Sequence, residues 1–178
     1  LKSMRRATSK EDIIQIITTL RKEIPDISIR TSLIVGFPGE TDEQFEELVA
    51  FVKKYALDQV GIFKFSREPD SAAYHLPHQI SEEVKEERWK KLMAAQQKAV
   101  KKSLKKKIGT KMTVVVEGYH PDSPLLMRGR HRGQCPEIDG EVIINDGRKV
   151  KAFGSLYTVE ITDSAGCDLI GRVIEPCA

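Results

Sequence analysis

The feature that most constrains the fold is a change in hydrophobic pattern near Gly109. Before this residue, short runs of β-branched residues alternate with stretches whose apolar residues recur at helical spacing. After it, only short apolar runs remain, separated by turn sequences such as Pro-Asp, Ile-Asp-Gly and Asn-Asp-Gly. The sequence therefore predicts an α/β part followed by a small all-β part, with the boundary at 105–110.

The first part predicts an alternation of helices and strands. Each of three helical patterns follows a hydroxyl residue that can cap it, and these residues are Thr8 or Ser9, Thr41 and Ser81. Between the helices lie two short stretches, 28–37 and 59–66, which predict strands buried on both faces of a parallel sheet. An eight-stranded barrel takes roughly 250 residues. The alternation thus predicts only the C-terminal part of a barrel, with further strands upstream.

The second part predicts a small Greek-key barrel of the OB-like kind, because five short strands fit into its length. The predicted strands are 111–117, 141–145, 148–153, 156–162 and 168–175. The sequence RGRHRG at 128–133 predicts a basic loop between the first two of them.

The net charge changes sign at the same boundary. Residues 1–111 carry 22 Lys and Arg against 16 Asp and Glu, whereas residues 112–178 carry 7 against 10. The positive excess is concentrated between Lys98 and Lys111. This run could contact RNA phosphates, but its lysine-rich core (98–107) contains no aromatic residue for base stacking. An apolar stripe within it favours the alternative of a solvated helix face.

The cysteines predict free thiols. Cys135, Cys167 and Cys177 are odd in number, widely spaced and without a C-x-x-C pair. This usage fits a reducing cytoplasm better than a disulfide framework or a zinc site. No apolar run approaches the roughly 18 residues of a spanning helix, and the first residues lack the apolar stretch of a secretory signal. We therefore expect a cytoplasmic protein without a membrane partner.

Two loops that follow the predicted strands are candidate ligand sites, because ligands bind at the carboxyl ends of parallel strands. GFPGET at 36–41 has two glycines, which allow close approach of a ligand, although Glu40 would repel a phosphate. In the loop 65–71, three polar residues are expected to converge: Arg67, Glu68 and Asp70. The alternatives are a tight strand-to-helix connection and a solvated loop. The residues alone identify no nucleophile with its base and no metal cluster.

Five stretches resemble, in order and spacing, the methylthiotransferase branch of the radical-SAM enzymes. They are MRRATS (4–9), RTSLIVGFPGET (30–41), FEELVAFV (45–52), DQVGIFKFSREPDSAAY (58–74) and EERWKKLMAAQQ (86–97). The final part then resembles TRAM, the small β-barrel at the C-terminus of these enzymes. The resemblance implies that residues 1–107 are the C-terminal part of a radical-SAM core with a connecting helix, and that residues 108–178 are a TRAM domain.

The resemblance also implies cofactors. Such enzymes bind S-adenosylmethionine (SAM) on a 4Fe–4S cluster held by a C-x3-C-x2-C motif, and a second 4Fe–4S cluster takes part in sulfur delivery. Neither cysteine set is in this sequence, so we expect no catalytic residue and no metal ligand here, and an inactive chain when isolated. The residues matching cofactor-lining positions of the family are Arg5, Arg6, Arg30, Ser32, Gly36, Phe63, Phe65 and Ser66.

Two branches of the family compete. One modifies adenosine in tRNA (MiaB-like), and the other modifies the β-carbon of an aspartate in the small-subunit ribosomal protein S-twelve (RimO-like). CPEIDGEV at 135–142 resembles the Ala-Pro-Glu-Ile-Asp-Gly signature of the protein-modifying branch, although Gln134-Cys135 stands where Asp-Ala is usual. The acidic charge of the last part also suits a basic ribosomal protein better than a polyanion.

We therefore expect the ribosomal protein as substrate. The residues expected to contact it are Arg130, Glu137, Asp139 and Glu141. A tRNA adenosine methylthiotransferase is the first alternative, and a non-catalytic TRAM module that binds RNA is the second.

Overall fold

The structure, a computed structural model, describes residues 6–177. The chain divides into two compact units, one up to Gln96 and the other from Gln97 onward. The elements of the first unit are α1 (Lys10–Glu23), β1 (Arg30–Val35), α2 (Asp42–Tyr55), β2 (Gln59–Lys64), a 3-10 turn (Ala72–His75) and α3 (Glu82–Lys105). Helix α3 extends past the division into the second unit.

Local sequence fixes the beginnings of the first two helices. The Ser9 hydroxyl accepts the Asp12 N–H while the Asp12 carboxylate accepts the Ser9 N–H, which forms a capping box at α1. Thr41 and Gln44 form the same reciprocal pair at α2. The predicted capping box of α2 is confirmed, and Ser9 rather than Thr8 caps α1.

The two strands of the first unit pair in parallel, from Arg30 opposite Gln59 to Val35 opposite Lys64. One face of this pair packs against α2 and α3 in a core of buried side chains that comprises Val35, Phe45, Val49, Val52, Ile62, Leu92 and Ala95. The expectation of strands buried on both faces is wrong for the described residues. The other face carries Ile34 and Phe63 at 44% and 56% exposure, because no described element covers it.

The second unit is a closed five-stranded barrel, as predicted. Its strands are β3 (Lys111–His120), β4 (Ser123–His131), β5 (Val142–Asp146), β6 (Ser155–Ala165) and β7 (Asp168–Pro176). They are arranged in the order β3-β4-β5-β7-β6, β6 pairs back onto β3, and only β5 and β7 are parallel. The core contains Val114, Val116, Val142, Ile144, Tyr157, Val159, Ile161, Leu169 and Val173.

The predicted strand at 148–153 is wrong. The buried Tyr157 hydroxyl accepts the N–H groups of Lys151 and Ala152, each at 3.0 Å, and donates to the Ala152 carbonyl at 2.9 Å. A side chain therefore satisfies backbone groups that a strand would have paired in a ladder. The segment is a turn held from inside the barrel.

The sequence analysis missed β4, and the basic loop predicted at 128–133 is wrong because Arg128 to His131 lie within this strand. Gly129 is a turn signal in sequence, yet here it pairs with Val116 on one side and Val142 on the other. A Cβ at Gly129 would lie 2.4 Å from the Val115 carbonyl oxygen. The glycine thus marks a close approach of two strands and not a loop.

An ion pair at the end of β5 gives a pH-dependent prediction. The Arg148 Nε and Nη2 donate to Asp146 at 2.9 and 2.7 Å, and these bonds lower the pKa of Asp146 from 3.8 to about 2. Because this pKa is lowered, the stabilisation is present above pH 3.8 and is lost as the pH falls through about 2. We expect Arg148→Gln to raise the Asp146 pKa toward its ordinary value in an NMR titration.

Lys149→Gln is the matched control, since Lys149 bonds the Ile174 carbonyl and not Asp146. An Asp146 pKa near its ordinary value in the parent protein would contradict the assignment.

Candidate cofactor face and substrate cleft

The uncovered face of the β1–β2 pair brings together three of the predicted cofactor residues. Alternation along β1 places Arg30, Ser32 and Ile34 on this face, and the parallel register sets Ile34 beside Phe63. The face therefore combines an exposed apolar pair with a hydroxyl and a guanidinium. Ile34 lies on this exposed face, although an isoleucine in a strand is normally a core residue.

Gly61 shapes the middle of this face. It lies opposite Ser32 in the register, and a Cβ at this position would come within 3.0 Å of the Phe63 ring and 3.6 Å of the Ser32 Oγ. The absence of a side chain at Gly61 thus lets the Phe63 ring lie close to the strand surface. A flat ring ligand could pack there beside hydrogen-bonding groups.

The GFPGET loop is held in place by two buried cations of α3. Gly36, the first residue after β1, has φ +74°, and a Cβ there would lie 2.3 Å from Lys85 Cγ. Its N–H donates to Glu40 Oε1 at 3.1 Å, and Arg88 Nη1 donates to the same oxygen at 2.6 Å. Glu40 thus fixes the loop. The sequence analysis missed Lys85 and Arg88. The pattern that could have identified them is the position of two cations three residues apart on the buried side of α3.

The second loop is largely satisfied within itself. The Arg67 Nε donates to the Tyr74 carbonyl at 3.0 Å and its guanidinium lies over the Tyr74 ring, whereas Glu68 accepts the Ser66 hydroxyl at 2.5 Å. Arg67 and Glu68 therefore each have a partner within the loop, and the expected convergence of Arg67, Glu68 and Asp70 on one ligand stays a prediction.

Three further predicted cofactor residues follow the strands, and two precede α1. Phe65 N–H donates to the Val35 carbonyl at 2.9 Å, and its ring packs edge-on against Phe37, so Phe65 and Gly36 lie at the same sheet edge. Ser66 is the next residue. Arg6 is exposed before α1, and Arg5 lies outside the described residues.

The four predicted substrate residues line one cleft of the barrel, with a volume of about 370 Å³. Its carboxylates are Glu117, Glu137, Asp139, Glu141 and Asp168, and its guanidinium groups are Arg128 and Arg130. Three negative charges are therefore in excess at the cleft wall. Such a wall favours a cationic group and disfavours phosphate.

The carboxylates of the cleft are held in distinct ways. Arg130 donates twice to Glu117 at 2.7 Å, and His120 Nε2 lies 2.9 Å from Glu141. Asp139 accepts the Cys135 N–H at 2.7 Å and so closes the turn of the signature sequence. Glu137 is exposed at φ +62° at the rim.

Within residues 6–177 there is no group of three or more His, Cys, Asp or Glu side chains placed to hold a metal ion. The three cysteines are all free thiols. The described residues therefore do not fit a 4Fe–4S cluster. None of the described helices is both long enough and apolar enough to cross a membrane.

Comparison with known proteins finds one family match in each of the two units. The radical SAM superfamily pattern matches residues 1–52, and the TRAM domain pattern matches residues 108–174. Proteins named ribosomal protein uS12 methylthiotransferase RimO are similar to 98% of this chain: that of Protochlamydia amoebophila is 72% identical, that of Chlamydia felis 49%, and that of Geobacter sulfurreducens 46%. The chain spans 37% to 38% of the length of these relatives.

Proposed function

We propose that this chain is part of an enzyme that transfers a methylthio group to the β-carbon of an aspartate in uS12. The proposal is supported by the matches to the radical SAM superfamily and the TRAM domain, and by the similarity of 98% of the chain to a protein named ribosomal protein uS12 methylthiotransferase RimO. The observation that carries the proposal is the 72% identity over 98% of the chain. The tRNA adenosine methylthiotransferase and the RNA-binding TRAM module are the alternatives.

We propose that the uncovered face of β1 and β2 lines SAM. The apolar pair Ile34 and Phe63 suits the flat adenine ring, while Arg30 and Ser32 supply groups for the polar parts of the molecule. Gly36, Phe65 and Ser66 border the face at the carboxyl ends of the strands, where ligands of such sheets bind, and Arg5 and Arg6 complete the proposed set.

The reductive cleavage of SAM would come from a 4Fe–4S cluster. We propose that two such clusters belong to the longer protein and that their ligands lie outside this sequence. On this account the isolated chain is inactive. Its own residues bind and orient SAM and the protein substrate.

The cofactor face leads to a prediction about SAM affinity. Phe63→Ala removes the exposed ring, and Arg30→Ala removes the guanidinium, so each is expected to raise the Kd of SAM about tenfold. Phe65→Ala tests the bordering residue in the same way. Equilibrium dialysis measures the Kd of SAM without turnover. It uses the intact protein, by which we mean the longer protein to which this chain is proposed to belong.

Lys64→Ala is the matched control, because Lys64 is on β2 but points to the opposite face, where it pairs with Glu86. A SAM affinity that is unchanged in Phe63→Ala and Arg30→Ala would remove both residues from the site.

The proposed reaction is tested by supplying the reconstituted intact protein with SAM, a reductant, a sulfur source and either uS12 or tRNA. We expect methylthio-aspartate in uS12 and no methylthio-adenosine in tRNA. The reverse result would favour the tRNA enzyme, and binding of RNA without either product would favour the RNA-binding module.

A further inference from the structure

Helix α3 changes its charge pattern along its length. In its first half the cations have carboxylate partners, as in the pairs Lys85–Glu82, Arg88–Glu40 and Lys91–Glu46. Residues 88–116 then contain ten Lys and Arg and no Asp or Glu. Among the described residues, no ion pair involves the lysines of the second half of α3, which are Lys98, Lys101, Lys102 and Lys105.

These four residues, here called the lysine stripe, lie on one side of the helix. At 3.6 residues per turn they fall within an arc of about 100°. All four side chains are exposed. Leu104, which lies outside this arc, packs against the barrel core, whereas the four lysine side chains point to solvent.

Helix stability does not account for the lysine stripe. Cations interact favourably with the helix dipole only in the last turn, which contains Lys102 and Lys105 but not Lys98 or Lys101. Like charges three and four residues apart also destabilise a helix. A helix that keeps four such cations without a carboxylate nearby is instead complementary to an anionic partner.

We propose that the lysine stripe binds the phosphate backbone of RNA that lies next to the protein substrate, so that the enzyme acts on uS12 within a ribonucleoprotein particle. This inference rests on the proposed function. The second unit carries both a cleft with excess carboxylates, which suits a basic protein, and a stripe of unpaired cations, which suits a polyanion. A basic protein bound to RNA presents both partners together.

The contact made by the stripe is independent of base sequence. The segment from Lys98 to Lys107 contains no aromatic residue on which a base could stack, and its cations are flexible ammonium groups. Binding therefore depends on the number of phosphates contacted. Its hallmark is a steep decrease of affinity with salt concentration.

The test compares two triple variants of the intact protein. One is Lys98→Gln, Lys101→Gln, Lys102→Gln, which removes three charges from the stripe and keeps good helix formers. The control, Lys22→Gln, Lys53→Gln, Lys54→Gln, removes the same charge from exposed lysines of α1 and α2. Both are assayed for sedimentation with small ribosomal subunits and for methylthiolation of uS12 in subunits and as free protein.

We expect the stripe variant to lose about tenfold in subunit binding and in kcat/KM on subunits, and its log–log salt slope to become less steep by about two to three. Activity on free uS12 should be unchanged, and the control variant should behave as the parent protein. Unaltered subunit binding, or an equal loss on free uS12, would overturn the inference. Sedimentation needs no turnover, so it tests RNA binding by the lysine stripe independently of catalysis. If the parent protein modified neither form of uS12, the proposed function would be overturned, and the sedimentation result would still test the stripe.

Discussion

Arg88→Ala is expected to destabilise the protein by about 3 to 5 kcal/mol, the cost of removing one partner of a buried ion pair. The Arg88 and Glu40 side chains are only 8% and 12% exposed, and their atoms lie 2.6 Å apart. Burial by itself lowers the pKa of Arg88. The hydrogen bonds and charges of Asp42 and Glu40 raise the pKa by more than burial lowers it, so it stays above its ordinary value. Without Arg88, the Glu40 carboxylate is left with the Gly36 N–H as its remaining partner.

Thermal unfolding and hydrogen exchange of the intact protein measure this effect. We expect the Tm to decrease and the amides of residues 36–49 to lose protection. Lys91→Ala is the matched control on the next turn of α3, because its pair with Glu46 is exposed and should contribute at most about 1 kcal/mol. If both variants lose the same stability, the buried pair does not hold the loop.

A double-mutant cycle isolates the interaction. Glu40→Gln in the Arg88→Ala background removes the unpaired charge and should restore part of the lost stability. In the single variant Arg88→Ala, SAM affinity should also decrease, because the loop at the end of β1 borders the proposed cofactor face. A purely global destabilisation would leave SAM affinity unchanged at temperatures where the variant is folded.

Neutralising the charge of the cleft should abolish most of the activity on the proposed protein substrate. Glu137→Lys with Glu141→Gln changes the wall by three charges and cancels its negative excess. We expect kcat/KM for uS12 to decrease about a hundredfold, since a basic partner would meet a neutral wall with a new cation at its rim. Assays over a range of uS12 concentrations measure this loss.

The control for the cleft variant carries the same change of charge elsewhere. Glu175→Lys with Asp163→Asn alters exposed positions on β7 and β6 that do not line the cleft. SAM affinity should be the same in both variants. Equal losses of activity in the two would show that net charge, rather than the cleft, attracts the substrate.

Features encoded over three or four residues could be predicted from the sequence. The capping box of Thr41 and Gln44 is local, and the parallel strands follow from short apolar runs between helices. The four cleft residues lie together because three of them belong to one short segment and Arg130 lies on the strand before it.

Features that depend on distant residues could not be predicted. Arg88 reaches Glu40 across 48 positions, and neither residue reveals the other in sequence. Tyr157 turns the segment 148–153 away from a strand through its hydroxyl, and Gly129 conceals β4 because its role is packing against the Val115 carbonyl. In each case a tertiary contact outweighs the local preference.

Mass spectrometry of a strain lacking the gene tests the central claim most directly, with uS12 and total tRNA nucleosides examined in the same cells. The account predicts that the methylthio group disappears from the uS12 aspartate while methylthiolated adenosine in tRNA is unchanged. Loss of the group from tRNA adenosine with uS12 still modified would contradict the account and assign the chain to the tRNA-modifying branch.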